Sequence, residues 1–170
     1  MLSVGTVFLY GTNGICRVDE IRKEKVRGQE QDYYILTPVF SQGSTIHVPV
    51  NSGYLRAKMR TILTPEQALD LAQRASAEPV EWIADDNERG NRFRQIIADC
   101  DRLELVRMLK SIYSRRKELS AIGRRLHAAD ETAWRTAEKI VREEMAVVLK
   151  LEPENVMTYL FEREKTAAIH

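Results

Sequence analysis

Basic residues are concentrated in one short stretch of this sequence. Between residues 102 and 125, eight arginines and lysines stand against two glutamates, a net +6 in a chain whose formal charge is only +1. Arg107, Lys110, Ser114 and Lys117 are spaced by three, four and three residues, which places them on one face of a helix. Such a face can bind phosphate groups, each contact adding about 0.9 to the salt dependence of binding. The alternative is an ordinary solvated helix face.

A second feature is Trp82, which follows Glu78-Pro79 and precedes Asp85 and Asp86. It belongs to no helical apolar repeat, unlike Trp134, whose spacing predicts a core position. An exposed indole can stack on a nucleobase or enter a base step, a contact of about 1–3 kcal/mol per base. The alternative is a tryptophan packed at the edge of a core.

Groups that would support catalysis or metal binding are sparse. The three histidines (His47, His127 and His170) are scattered, and Cys16 and Cys100 lie far apart outside any CxxC pattern. The sequence contains no phosphate-binding loop, dinucleotide fingerprint, zinc-protease motif or nucleophile elbow. We therefore predict no catalytic residues, no metal and no cofactor.

The predicted secondary structure that positions these residues changes from strands to helices near residue 64. The segments rich in β-branched and aromatic residues are 6–10, 15–21, 33–40 and 45–50. Turn signals such as Asn13-Gly14 separate them. Four or five strands in so short a stretch predict a small antiparallel barrel, closed to hide its edges.

Beyond residue 63 a helical period takes over. Thr64, Pro65 and Gln67 form a helix-start signal with a capping box. Segment 76–90 is polar and predicted to be irregular, and further helices are predicted at 91–99, after Asp101, from Asp130 and from Pro153. The predicted fold class is α+β with two domains, a barrel in residues 1–64 and four to five helices in residues 65–170.

The sequence also bears on where the protein resides. Its first eleven residues lack the basic region and long apolar core of a signal peptide. No stretch approaches the ~20 apolar residues of a membrane span. We expect a cytoplasmic protein without a membrane partner.

Several motifs resemble one family of bacterial proteins. Val4-Gly5-Thr6-Val7 and Tyr10-Gly11-Thr12-Asn13-Gly14 resemble the opening of the CarD/CdnL transcription regulators and of the RNA-polymerase-interacting domain of the transcription-repair coupling factor. The likeness covers most of the chain and continues through Tyr33-Tyr34-Ile35-Leu36, Ile46-His47-Val48-Pro49, Glu78-Pro79-x-x-Trp82 and Arg92-Phe93.

This resemblance implies a fold and a function. It implies a Tudor/SH3-like barrel that binds the RNA polymerase β subunit, and helices that contact promoter DNA at the upstream edge of the bubble and stabilise the open complex. The implied DNA contacts are Trp82, Arg92, Arg94, Arg107, Lys110, Arg116 and Lys117. The implied polymerase contacts are Tyr34, Leu36, Val39, His47 and Val48. The alternative is an adaptor whose barrel binds polymerase and whose helices recruit another protein.

The sequence departs from the family pattern at two places. His47 stands where many members have arginine, and Asp85 and Asp86 follow the tryptophan where several members have basic residues. Carboxylates repel phosphate, so we expect these two to weaken or redirect DNA contact.

Overall fold

The chain folds as two compact units of different class. The computed structural model describes residues 1–162, and its two units are Met1–Ile62 and Leu63–His170. Strands fill the first unit and helices fill the second, so the predicted α+β class is confirmed. The assignment of separate domains to residues 1–64 and 65–170 stays a prediction.

The first unit is an antiparallel sheet of five strands. They are β1 (Val7–Tyr10), β2 (Ile15–Val26), β3 (Gln29–Pro38), β4 (Ile46–Pro49) and β5 (Met59–Thr61), with a short helix α1 (Gly53–Lys58) before the last. Their order in the sheet is β4-β3-β2-β1-β5, so β4 and β5 are its edges. The helix α1 was not predicted, because six residues are too few to show a helical period.

The hairpin between β2 and β3 is longer than the sequence indicated. Pairing continues to Val26 opposite Gln29, and the two turn residues Arg27 and Gly28 have φ of +51° and +83°. Two successive positive φ values suit the two-residue hairpin turn whose twist matches that of the strands. The outer part of this hairpin is polar on both faces, so hydrophobic alternation could not mark its length.

One face of the sheet carries the core of the first unit. The buried residues that pack together there are Phe8, Tyr10, Cys16, Val18, Tyr34, Leu36, Val48 and Leu55. The hydroxyl of Tyr34 accepts a hydrogen bond of 2.8 Å from the backbone N–H of Leu2, which satisfies the polar end of this buried ring. This core includes three of the five predicted polymerase contacts, namely Tyr34, Leu36 and Val48.

The second unit contains five helices in its described part. They are α2 (Pro65–Ala77), α3 (Asp86–Asp99), α4 (Arg102–Ala121), α5 (Ala128–Leu149) and α6 (Val156–Phe161). The capping box of α2 is present as predicted, since Thr64 accepts from the Gln67 N–H at 3.2 Å and Gln67 accepts from the Thr64 N–H at 2.9 Å. Asp101 caps α4 by accepting from the Glu104 N–H at 2.9 Å.

Three local predictions for this unit were wrong. Helix α3 begins at Asp86 rather than near residue 91, because the Asp85 carboxylate accepts the Glu88 N–H at 2.8 Å and starts the helix in a polar stretch. Pro153 opens a 3₁₀ turn, and α6 follows it from Val156. Trp134 is half-buried on α5 rather than a core residue.

The helical core combines apolar packing with a buried ion pair. Leu105, Leu109 and Ile112 of α4 are fully buried. Arg102 donates to both oxygens of the buried Glu144 carboxylate at 2.8 Å. Glu144 also accepts from the Leu63 N–H at 3.0 Å, which attaches the start of the unit to α5. None of the helices in residues 1–162 has the length and apolar content to cross a membrane.

The different burial of Leu36 and Val39 predicts that their replacement changes the free energy of unfolding by different amounts. Replacing the fully buried Leu36 by alanine should lower the free energy of unfolding by about 2–5 kcal/mol, because a cavity forms in the core. Val39→Ala should change it by less than about 0.5 kcal/mol, since Val39 is 42% exposed. Urea unfolding measures both, and equal effects would contradict the placement of Leu36.

Candidate nucleic-acid interface

Trp82 lies in a cage of two cations and one aromatic ring. The guanidinium carbon of Arg89 lies 4.5 Å from the centroid of the indole, and that of Arg115 lies 5.8 Å from it. Phe93 contacts the indole edge to face, with centroids 6.3 Å apart. The ring is half-buried. Trp82 is therefore neither a fully exposed indole nor a fully packed core residue: neighbouring side chains fix its position, and part of the ring stays accessible to solvent.

Arg89 holds the segment that follows Trp82. The side chain is 4% exposed and donates to both oxygens of the buried Asp130, each at 2.9 Å. It also donates to Asp86 at 2.7 Å and to the carbonyl oxygen of Ile83 at 2.9 Å. One guanidinium thus joins the 82–86 segment and α3 to the first turn of α5, in the bidentate geometry that suits arginine.

The two acids after Trp82 have structural partners. Asp85 caps α3, and Asp86 bonds to Arg89. The hydrogen bond from Arg89 holds the pKa of Asp86 below its ordinary value of 3.8, and the hydrogen bonds to Asp130 are the main cause that raises the pKa of Arg89. Neither carboxylate is therefore an isolated negative charge beside Trp82, although both remain exposed.

Arg107 and Lys110, in the middle of the predicted basic face, form contacts with other residues of the helical unit. Arg107 bonds to Glu78 and, at 2.9 Å, to Glu104. Lys110 donates at 2.9 Å to the backbone carbonyls of Ala75, Ser76 and Glu78, so its ammonium caps the end of α2. These two cations stabilise the helix packing in the described structure.

The other predicted DNA contacts are mostly paired as well. Arg116 lies 3.0 Å from Glu131 and stacks over Trp134, while Lys117 lies 3.5 Å from Glu162 and 4.5 Å from the ring of Tyr113. In α3, Arg92 pairs with Glu104 at 2.8 Å, and the exposed Arg94 bonds to the neutral side chain of Asn91.

Exposed ion pairs are worth about 0–1 kcal/mol, so a phosphate can displace the weaker of these acids. The assignment of DNA contacts on this face stays a prediction.

Sequence reasoning missed Arg89 and Arg115. Asp86 stands three residues before Arg89, which in sequence resembles an exposed helical pair. Its buried partner Asp130 lies 41 residues away, and no local pattern connects them. Arg115 was counted within the basic stretch, but its approach to Trp82 depends on how α4 packs.

The predicted polymerase contacts divide by burial. Tyr34, Leu36 and Val48 are buried in the core of the sheet, so their side chains can shape the surface but cannot reach a partner directly. Val39 is 42% exposed just after β3, and His47 is exposed on the edge strand β4, with its Nδ1 2.9 Å from Glu24. These contacts stay predictions, with Val39 and His47 as the two accessible side chains.

The described residues offer little for metal chemistry. No group of three or more His, Cys, Asp or Glu side chains in residues 1–162 is arranged to hold a metal ion. Both cysteines are buried thiols. His170 lies outside the described residues.

The buried pair of Arg89 and Asp130 beside Trp82 predicts that replacing Arg89 strongly lowers the free energy of unfolding. Arg89→Gln should lower the free energy of unfolding by about 3–5 kcal/mol, because it leaves the buried Asp130 without its cation. Arg92→Gln removes an equal charge from an exposed pair and should cost less than about 1 kcal/mol. Urea unfolding of both variants, and of Arg89→Gln combined with Asp130→Asn, measures this. Additive losses in the double variant would show that the two side chains do not act as a pair.

Comparison with known proteins adds information on the first unit. Residues 2–63 match the family model described as the CarD-like/TRCF RID domain. A search of curated proteins found no significant match to the chain. The family match spans the whole five-stranded sheet and ends where the helical unit begins.

Proposed function

Because residues 2–63 are a CarD-like/TRCF RID domain, an RNA-polymerase-interacting module, we propose that this chain is a transcription regulator that holds its helices against promoter DNA. The RID domain is a protein-interaction domain rather than a catalytic one. The finer proposal is that the domain binds the polymerase β subunit. In the same proposal, Trp82 lies at the upstream edge of the bubble and stabilises the open complex.

The single observation that carries the polymerase half of the proposal is the family match over the complete sheet. The structure adds a surface that suits such a partner. The edge strand β4 has exposed His47, and the loop before it carries Val39 and Phe40, which are 42% and 38% exposed. An edge strand with apolar residues beside it can receive a strand or loop of another protein.

The DNA half of the proposal is supported by the cage around Trp82. The half-buried indole is held on one side by Arg89, which is itself fixed by Asp130, so the ring does not have to be ordered when it meets a base. Arg115 adds a partly exposed cation at the same place. An aromatic face beside a guanidinium is a combination that binds unpaired bases and their phosphates.

Tethering explains why a nearly neutral protein can act on DNA. A net charge of +1 gives weak binding to free DNA. Once the first unit is bound to polymerase, the second is held at high local concentration near the promoter, and weak contacts without sequence preference suffice.

Polymerase binding is tested by two valines of nearly equal exposure. Val39→Asp should weaken the affinity for core RNA polymerase at least about tenfold, because it places a charge in the proposed interface. Val26→Asp makes the same change at a residue that is 43% exposed at the far end of the β2–β3 hairpin, and should have little effect. Surface-immobilised polymerase gives both affinities. No binding by the unmodified chain, or equal losses in the two variants, would contradict the proposed surface.

The role of Trp82 is tested on promoter complexes. Trp82→Ala should leave polymerase affinity unchanged and shorten the lifetime of the open complex by roughly 5- to 160-fold, the factor expected for a lost contact of about 1–3 kcal/mol. Trp134→Ala, which removes the other tryptophan of the same unit, is the matched control. Thermal unfolding of both variants shows whether they remain folded at the assay temperature. An unchanged lifetime with Trp82→Ala would remove the stacking role.

One observation favours a second candidate function. The predicted basic face is largely paired with acids of its own unit, as expected for helices that contact a protein rather than DNA. In that case the sheet binds polymerase and the helices recruit a third protein. Footprinting of a polymerase–promoter complex separates the two functions, because only DNA contact adds protection at the upstream edge of the bubble.

A further inference from the structure

The cations of the first unit fall into two groups with different surroundings. Five of its eight arginines and lysines lie in the β2–β3 hairpin, which also contains all five acidic side chains of the unit. In that hairpin Lys23 lies opposite Asp32 and Lys25 lies opposite Glu30, so positive and negative charges balance. The other three cations lie in α1 and β5, a stretch without any acidic residue, and they are Arg56, Lys58 and Arg60.

The three cations of α1 and β5 form no ion pair within residues 1–162. The guanidinium of Arg60 donates through one terminal nitrogen to the carbonyl oxygens of Ala57 at 2.9 Å and Met59 at 3.0 Å. These neutral acceptors hold the group in place without cancelling its charge, and its other nitrogens remain as donors. Arg56 is exposed, and Lys58 is half-buried. Positive charge without a counter-charge is therefore concentrated at this edge of the sheet.

An exposed tyrosine lies beside these cations. Tyr54 and Lys58 are four residues apart on α1, so they share one face of the helix. The ring of Tyr54 meets that of Tyr10 edge to face, with centroids 6.5 Å apart, and stays 65% exposed. The stem of Lys58 lies beside Gly11, where an added Cβ would be 3.7 Å from the Lys58 Cδ. Because these contacts hold both side chains, little order has to be gained when they meet a ligand.

We propose that these four residues, Tyr54, Arg56, Lys58 and Arg60, form a DNA-binding surface of the first unit, in which the three cations contact the phosphates of duplex DNA. We call this surface the α1–β5 patch. The inference goes beyond the proposed function, which gives DNA contact to the helical unit alone, and it rests on that function in taking DNA as the ligand. The patch lies at the β5 edge of the sheet, whereas the proposed polymerase surface lies at the β4 edge.

The chemistry of the patch favours duplex DNA over an acidic peptide. Duplex DNA carries one phosphate charge about every 1.7 Å of its axis, so cations at several points of an open surface each find a phosphate without a precise fit. A guanidinium can bind phosphate through two hydrogen bonds, and a tyrosine hydroxyl can donate to the same backbone. A specific peptide requires apolar anchors in a desolvated pocket, whereas Leu55, the large aliphatic side chain of α1, is turned into the core.

The test compares two double variants of the full chain on a fluorescent duplex without polymerase, by anisotropy over a range of salt concentrations. Arg56→Gln with Lys58→Gln should bind at least about tenfold more weakly at roughly 0.1 M salt. The slope of log affinity against log salt should fall by about 1.8, since each of the two lost phosphate contacts contributes about 0.9.

The matched control is Lys23→Gln with Lys25→Gln. It removes the same charge from exposed positions of the same unit, where acids lie opposite both lysines, and it should keep the slope of the unmodified chain. Thermal unfolding should be unchanged in both double variants, and so should their affinity for surface-immobilised core polymerase.

Each other outcome overturns the inference in a distinguishable way. If the patch variant binds DNA as well as the unmodified chain does, the patch is not a DNA-binding surface, while the proposed function stands. Equal losses in the two double variants would mean that general charge, and not the patch, governs binding. If the patch variant loses affinity for polymerase and keeps its affinity for DNA, the cations contact protein instead. If the unmodified chain shows no salt-dependent binding to the duplex, the inference falls, and the lifetime of the open complex with Trp82→Ala still decides the proposed function.

Discussion

The buried ion pair between Arg89 and Asp130 is the interaction on which the arrangement of the helical unit's surface depends. Both side chains are 4% exposed, and the guanidinium also bonds to Asp86 and to the carbonyl of Ile83. A buried pair of this kind is stable only while both partners are present, because either charge alone would be left without solvent or counter-charge. It joins α3 to the first turn of α5, and it thereby holds the segment after Trp82 against the helices.

The distribution of charge bears on how the helical unit would bind DNA in the proposed function. Overall charge is close to neutral, and most cations of α4 are used to hold helices together. Arg115, beside Trp82, is itself paired with Glu118, whereas Arg124 and Arg125 are exposed after the last turn of α4. In the proposed function, the sheet that matches the RID family model supplies the location by binding polymerase, and the helical unit then needs only weak contacts with DNA.

Much of the fold could be predicted from local patterns. The strands, the α2 capping box and the Asp101 cap depend on residues that are close in sequence, and the structure contains all of them. The start of α3 was missed because its first turn is polar and shows no apolar period. A helix with little apolar content is recognised by its cap, and Asp85 with Glu88 three residues later was the available signal.

The candidate site was harder to predict because its determinants are distant in sequence. Counting charge along α4 gave a basic face, but the glutamates that neutralise it come from other elements, Glu78 before α3 and Glu131 in α5. Likewise, the resemblance pointed to Tyr34, Leu36 and Val48 as contacts, whereas these side chains fill the core of the sheet. A family motif contains both core residues and contact residues, and their burial in the structure is what distinguishes the two kinds.

The central proposal is that Trp82 lies against promoter DNA when the chain is bound to polymerase. It is tested most directly by DNA cleavage from an iron chelate attached at Glu81→Cys, beside Trp82, with Asp70→Cys on α2 as the control; both positions are exposed and the two native cysteines are buried. We expect cleavage near the upstream edge of the bubble from position 81 and much less from position 70, and only with polymerase present. Equal cleavage from the two positions, or none from position 81 in a complex that contains the protein, would contradict the proposal.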